Sequence, residues 1–149
     1  MKRIACLILV SVLMIAMLPV SVFAAENSEI TYFEDGSYIV VTISENYSRS
    51  TVSKNGSKSY VYHNSTGTSC WKATLNGTFT YTGSSSTCTA SSCSVTVYES
   101  DWSTSSKSAT KSGNTAKASV TMVRKALGVT VDTKSASISL TCDTNGNLS

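Results

Sequence analysis

The chain has 149 residues and a formal net charge of +3, from 12 Lys and Arg against nine Asp and Glu. Two of the 12 basic residues, Lys2 and Arg3, lie in the N-terminal leader, which leaves ten basic against nine acidic side chains elsewhere. A charge so nearly balanced excludes the concentrated positive field that a nucleic-acid or anionic-membrane partner requires. We therefore expect no nucleic-acid partner.

The leader has the pattern of a secretory signal peptide. A basic start precedes an apolar run over residues 4–18, and the small residues that follow fit cleavage after Ala24, with Ala25 as the next choice. The run is too short for a membrane anchor, and Cys6 lies before it rather than at the position of a lipid-modified cysteine. The sequence thus predicts a removed signal peptide and a secreted, extracellular domain of residues 25–149 without a membrane anchor.

The exported part is unusually hydroxylated, with 27 Ser and 20 Thr from Ala25 onward. Such a composition is typical of disordered or mucin-like stalks, but those are rich in proline, and the only proline here, Pro19, lies in the leader. The Ser and Thr also alternate with apolar residues at a period of two, which indicates half-buried strands. We therefore predict one folded all-β domain.

The first two predicted strands are bounded by tight turns. An Asp35-Gly36 turn precedes a strand that starts near Tyr38 and is apolar on both faces. The next strand carries Tyr60 and Tyr62 on one face and ends at a turn over residues 64–67. Both patterns are typical of short antiparallel strands.

The strongest strand signal is "CWKATLNGTFTYTG", at residues 70–83. Its Asn76-Gly77 dipeptide is typical of a two-residue hairpin. A hairpin there would pair Leu75 with Thr78, which sets an apolar side chain opposite a polar one on the same face. A single strand keeps all the apolar residues on one face, so we predict that residues 70–82 form one strand that bends at the glycine.

The second half predicts several more strands. A polar loop over residues 83–92 leads into a strand from Cys93, and "KSGN" at 111–114 predicts a hairpin tip between two polar arms. The final elements, 126–131 and 135–142, differ in the parity of their apolar residues, so a turn or a bulge must separate them. Seven or eight short strands without a helical period predict an antiparallel β-sandwich of immunoglobulin-like character.

Three segments carry a resemblance to known proteins: "TYFEDGSY", "GTFTYTGSSSTCT" and "SISLTCDTNGNLS". Together they resemble a group of small secreted proteins of unassigned function from gut and soil clostridia. The resemblance implies a Gram-positive secreted protein and a cysteine pair that matches Cys88 and Cys142. Cys70 and Cys93 depart from the common pattern, so their pairing stays open.

An exported chain with four cysteines most naturally carries two disulfides. The alternative is a zinc site with four thiolates, but the spacings of Cys70, Cys88, Cys93 and Cys142 lack the short C-x2-C units that such sites use. We therefore predict a disulfide-stapled domain with no metal and no cofactor.

His63 is the one histidine of the chain, and it lies at the edge of a predicted turn. A Ser-His-Asp hydrolase is one interpretation, but no G-x-S-x-G elbow supports it, and we prefer the interpretation of His63 as an exposed turn histidine. Four acidic residues could in principle supply a carboxylate pair for glycoside hydrolysis: Asp35, Glu45, Asp101 and Asp132. No sequence pattern brings two of them together, so we interpret them as solvated turn residues.

Four aromatic residues form a candidate binding platform for a sugar or peptide: Tyr60, Tyr62, Tyr98 and Trp102. The alternative is that they belong to the core and rim of the sandwich. The leading hypothesis for function is a monomeric, non-enzymatic β-sandwich that binds a glycan, cell-wall or protein partner in adhesion. A secreted antibacterial or toxin-like protein and a small extracellular hydrolase are the alternatives.

Overall fold

A computed structural model describes residues 28–46 and 53–149 of the chain. The predicted signal peptide, its cleavage site at Ala24 or Ala25, and Cys6 lie outside these residues. The described residues form eight strands: β1 (Ser28–Tyr32), β2 (Tyr38–Asn46), β3 (Ser53–His63), β4 (Ser69–Tyr81), β5 (Ser86–Val97), β6 (Trp102–Ser112), β7 (Thr115–Ala126) and β8 (Val129–Thr141). Across the same residues, no helix is long and apolar enough to cross a membrane.

The strands form two antiparallel sheets that face each other across a common core. One sheet has the order β1-β2-β3-β4-β5 and the other the order β6-β7-β8. The prediction of an all-β sandwich is therefore confirmed. Every hydrogen-bonded neighbour is also the next strand in the sequence, whereas immunoglobulin domains interleave their strands in a Greek key. The immunoglobulin-like part of the prediction is thus not confirmed.

β4 is one continuous strand from Ser69 to Tyr81, as the parity of its apolar residues predicted. Its core-facing side chains, among them Leu75 and Phe79, are completely buried. Gly77 is required because a Cβ at this position would lie 2.6 Å from the Phe79 ring. The glycine of the Asn-Gly pair therefore makes room for a neighbouring aromatic ring and does not form a turn.

Two predictions about the second half need correction or refinement. β5 begins at Ser86, so most of the predicted polar loop over residues 83–92 is strand. The final two elements, predicted as 126–131 and 135–142, are largely one strand: β7 turns at Leu127 and Gly128 into β8, which continues to Thr141, and the register shifts between Arg124 and Lys125. The sequence left open whether a turn or a bulge causes the change in parity of the apolar residues before residue 135, and the structure has a bulge. The predicted hairpin tip at 111–114 is confirmed, between β6 and β7.

The core contains buried side chains from both sheets. At one end, Tyr62 stacks on Trp71 with ring centroids 5.3 Å apart and contacts Trp102 edge-on at 5.4 Å. Towards the other end, Phe79 of β4 and Leu140 of β8 are fully buried. Burial of this much apolar and aromatic surface is the main stabilising contribution to the fold.

The outer face of the three-stranded sheet is covered by hydroxyl groups. Because the register is regular, Ser and Thr side chains of β6, β7 and β8 lie side by side in rows. The hydroxyls of Thr121 and Ser135 lie 3.2 Å apart, and those of Thr115 and Thr141 lie 3.1 Å apart. Three rows consist of hydroxyl residues only: Ser106-Thr121-Ser135, Ser108-Ser119-Ser137 and Ser112-Thr115-Thr141.

All four cysteines outside the leader are free thiols in the structure. Cys88 and Cys142 are buried at the same end of the sandwich, on either side of the β6–β7 turn. Cys70 lies at the opposite end of β4, and Cys93 lies in the middle of β5, opposite Leu75. Disulfide stapling of the domain stays a prediction.

Candidate functional site

The outer face of the five-stranded sheet carries a row of three aromatic side chains. The register places Tyr32 of β1 beside Tyr38 of β2, and Tyr38 beside His63 of β3. The rings of Tyr38 and His63 are stacked at 4.6 Å with an interplanar angle of 8°, and the ring of Tyr32 lies 5.5 Å from that of Tyr38. Tyr32 is 69% exposed, so the end of the row is open to solvent.

A second row, of aliphatic residues, lies directly beside the aromatic one. Ile30, Val40 and Val61 are opposite one another on the same three strands and share the outer face. Ile30 is half-exposed, and the two valines are partly buried. We call these six residues the outer patch: Tyr32, Tyr38, His63, Ile30, Val40 and Val61. The outer patch is an apolar strip on an otherwise hydroxylated surface.

The turn between β3 and β4 holds His63 in place. Its Nδ1 lies 3.2 Å from the carbonyl oxygen of Gly67 and 3.3 Å from the hydroxyl of Ser69. A carbonyl only accepts, so the hydrogen bond to Gly67 requires a proton on Nδ1. That nitrogen is then a donor and is unsuited to take a proton from Ser69. No hydrogen bond joins the ring to a carboxylate among the described residues.

Asn64 makes the same turn rigid. Its Oδ1 accepts hydrogen bonds from the backbone N–H groups of Thr66 and Thr68, at 3.1 and 2.9 Å, and from the Thr66 hydroxyl at 2.7 Å. Gly67 completes the turn with a φ of +85°, a conformation that side chains disfavour. The turn therefore presents a fixed surface between the outer patch on one side and a cavity on the other.

The cavity has a volume of about 180 Å³ and lies between the two sheets at this end of the sandwich. Its floor is made by Tyr62, Cys70 and Trp102, all of which are at most 5% exposed. Burial is the main cause that raises the pKa of the Cys70 thiol, which keeps it protonated at neutral pH. The floor is therefore uncharged.

The rim of the cavity is polar and contains both signs of charge. Glu99 and Asp101 come from the β5–β6 loop, and Arg124 comes from the end of β7. The Nε of Arg124 lies 3.8 Å from a carboxylate oxygen of Asp101, and both side chains are about half exposed. Two carboxylates and one guanidinium leave a net negative charge around the opening.

The structure does not bring the four residues of the predicted platform into one exposed surface. Tyr62 and Trp102 contact each other in the core, and their edges form the cavity floor. Tyr60 packs against the core as well, whereas Tyr98 is half-exposed after the end of β5. The aromatic row on the outer face of the five-stranded sheet contains two other residues, Tyr32 and Tyr38, which sequence reasoning did not assign to a binding surface.

The acidic residues singled out in the sequence all form ion pairs. Lys134 lies 2.7 Å from a carboxylate oxygen of Asp35 and 4.0 Å from one of Asp132, so the fold does bring these two acids together. Glu45 pairs with Lys54 at 2.7 Å. The hydrogen bond from Lys134, followed by those from Ser37, holds the pKa of Asp35 far below its usual range. A carboxylate so firmly ionised cannot serve as a general acid.

Among the described residues there is no group of three or more His, Cys, Asp or Glu side chains that could hold a metal ion. Comparisons with protein-family models, curated proteins and solved structures found no match. The resemblance to clostridial secreted proteins therefore stays a prediction, and function must be argued from the surface of the molecule.

Proposed function

We propose that this protein is a secreted, non-enzymatic β-sandwich that binds a glycan surface, such as cell-wall polysaccharide, through the outer patch. The observation that carries the proposal is the row of Tyr32, Tyr38 and His63 on the outer sheet face, in which Tyr38 stacks on His63 and the exposed ring of Tyr32 is tilted towards Tyr38. The faces of pyranose rings are apolar, and the exposed ring of Tyr32 at the end of the row offers them an apolar surface. A row across three strands is about 10 Å long, enough for roughly two consecutive sugar rings.

The rigidity of the outer patch supports binding. The rings lie on β-strands, and Asn64 and the backbone of the β3–β4 turn fix the position of His63. Little side-chain entropy is lost when such a surface meets its ligand. The ion-paired state of Asp35 also favours binding over acid–base chemistry, because its carboxylate is not poised to donate a proton.

The test is retention of the purified domain, residues 25–149, on insoluble cell-wall polysaccharide. Tyr32→Ala removes the most exposed ring of the outer patch. Because one aromatic contact contributes about 1.5 kcal/mol to the binding free energy, the affinity should fall about tenfold. Tyr98→Ala is the matched control, because Tyr98 is also half-exposed but lies outside the outer patch. Equal retention of the two variants would contradict the proposal.

Export is part of this proposal, and it has its own measurement. Protein recovered from the culture medium should begin at Ala25 or, failing that, at Glu26, and it should carry no lipid. A start upstream of residue 22 or a lipid on Cys6 would contradict it.

A toxin-like or antibacterial function is the second candidate, and the β7–β8 turn favours it. Leu127 at the tip is fully exposed, and Val129 and Val131 beside it are at least half exposed. Apolar side chains on a projecting turn insert into the interfacial region of a bilayer. Release of dye from lipid vesicles by the purified domain, abolished by Leu127→Asp, would support this function. Intact vesicles at micromolar protein would exclude it.

A further inference from the structure

The cavity at the end of the sandwich has features of a ligand site beyond the proposed glycan surface. The β3–β4 turn separates it from the outer patch. Its volume of about 180 Å³ corresponds to roughly six water molecules at about 30 Å³ each. A ligand of this size is a single side chain or a substituent of a sugar, and not a whole oligosaccharide.

The groups around the opening define the chemistry of that ligand. We infer that the cavity binds a primary ammonium group, from either an amino sugar or a lysine side chain. Glu99 and Asp101 supply two carboxylates against the single guanidinium of Arg124, so the opening attracts cations and repels anions. Glu99 has no ion-pair partner among the residues that the structure describes, which leaves its carboxylate available.

The floor of the cavity suits an organic cation. Tyr62 and Trp102 line it and are almost fully buried, so the carbon atoms next to an ammonium group meet an apolar surface there. The pKa of the Cys70 thiol is raised mainly by burial; Glu99 and Asp101 raise it further, whereas Arg124 lowers it. An ammonium group has three donors, and two carboxylates with the Thr68 hydroxyl at the rim provide three acceptors.

Backbone hydrogen bonds hold the β5–β6 loop that carries the two carboxylates. The N–H groups of Tyr98 and Glu99 both donate to the Cys70 carbonyl, at 2.9 and 3.1 Å. The N–H of Trp102 donates to the Glu99 carbonyl at 3.0 Å, and that of Lys125 donates to the Asp101 carbonyl at 2.9 Å. The loop is thus held by both sheets, so binding requires little reorganisation.

The experiment uses the fluorescence of the intact domain, since Trp102 lines the cavity floor. The probes are glucosamine and Nα-acetyl-lysine, each with a free amine, against N-acetylglucosamine and Nα,Nε-diacetyl-lysine, in which the amine is blocked. We expect saturable binding of the free amines only, weakened by salt. The tighter of the two amines identifies the source. Equal responses to free and blocked amines, or no saturable response to either amine, would overturn the inference.

Two variants separate this site from the outer patch. Glu99→Gln should weaken amine binding about tenfold and leave retention on polysaccharide unchanged. Tyr32→Ala should weaken retention on polysaccharide and leave amine binding unchanged. Glu34→Gln is the control, because Glu34 is an exposed glutamate of the neighbouring β1–β2 turn that does not line the cavity. An unchanged amine affinity in Glu99→Gln would refute the ammonium site even if the glycan surface is confirmed.

Discussion

A disulfide between Cys88 and Cys142 is the most consequential prediction for the stability of this domain. The N–H of Cys88 donates to the carbonyl of Gly113 at 2.8 Å, and the N–H of Cys142 donates to that of Asn114 at 3.1 Å. Gly113 and Asn114 are consecutive, so the two cysteines flank one turn. Both are buried, and export to an oxidising compartment, which is part of the proposed function, would favour the bond.

The fold excludes the competing pairs. Cys93 is opposite Leu75, whereas Cys88 is opposite Phe79, so the two lie roughly 15 Å apart along β5. Cys70 precedes Trp71, which is opposite Val97, and is therefore also roughly 15 Å from Cys93. A disulfide needs α-carbons within about 7 Å. We therefore expect Cys70 and Cys93 to stay reduced.

The size of the effect follows from the length of the closed loop. Positions 88 and 142 are about 54 residues apart, and cross-linking a loop of this length removes unfolded-state entropy worth about 4 kcal/mol. For a domain of this size, that loss should lower the melting temperature by about 15 °C.

The assay combines peptide mapping of the unreduced protein with thermal melting of the double variant Cys88→Ser, Cys142→Ser. Cys93→Ser is the control, because it should keep the cross-link and melt close to the parent. A Cys88–Cys93 cross-link, or a double variant that melts within a degree or two of the parent, would refute the reasoning.

Three further predictions concern the core, the β7–β8 turn and acid stability. Leu75→Ala should cost about 3 kcal/mol in urea unfolding because the side chain is completely buried, and a loss below about 1 kcal/mol would contradict its central position. Leu127→Asn should stabilise by about 1 kcal/mol, since Leu127 has a φ of +49° that asparagine tolerates better; a lower urea midpoint would count against this. The hydrogen bond from Lys134 lowers the pKa of Asp35 in the folded protein. The ionised Asp35 therefore stabilises the fold at neutral pH, and this stabilisation is lost as the pH falls below the pKa that Asp35 has in the unfolded chain. Asp35→Asn should therefore unfold more easily at neutral pH and lose less stability on acidification, and identical urea midpoints for variant and parent across the pH range would show that the ion pair is irrelevant.

Local sequence patterns were sufficient to predict the strand content. The parity of apolar residues placed β4 correctly through Asn76-Gly77, because a strand has only two faces and the core selects one of them. The same rule failed at residues 83–92, where polar residues form the start of β5. This strand lies at the edge of its sheet, so its hydroxyl side chains remain solvated and no apolar alternation is required.

The candidate site was less predictable because it depends on which strands become neighbours. Tyr32 and Tyr38 lie at equal distances from the β1–β2 turn. This symmetry is the sequence signal for a hairpin in which the two side chains are neighbours. The cavity combines side chains as far apart in the sequence as Tyr62 and Arg124. No local pattern specifies that these two approach each other, since the packing of one sheet on the other decides it.

The hydroxylated outer face of the three-stranded sheet binds water mainly through uncharged groups. Serine and threonine do not titrate in the physiological range, so the hydration of these rows does not change with pH. The domain carries almost no net charge, and repulsion between molecules in solution is correspondingly weak. Water bound to uncharged hydroxyls therefore replaces electrostatic repulsion as the barrier to self-association. A barrier of this kind persists at high salt and over a wide range of pH.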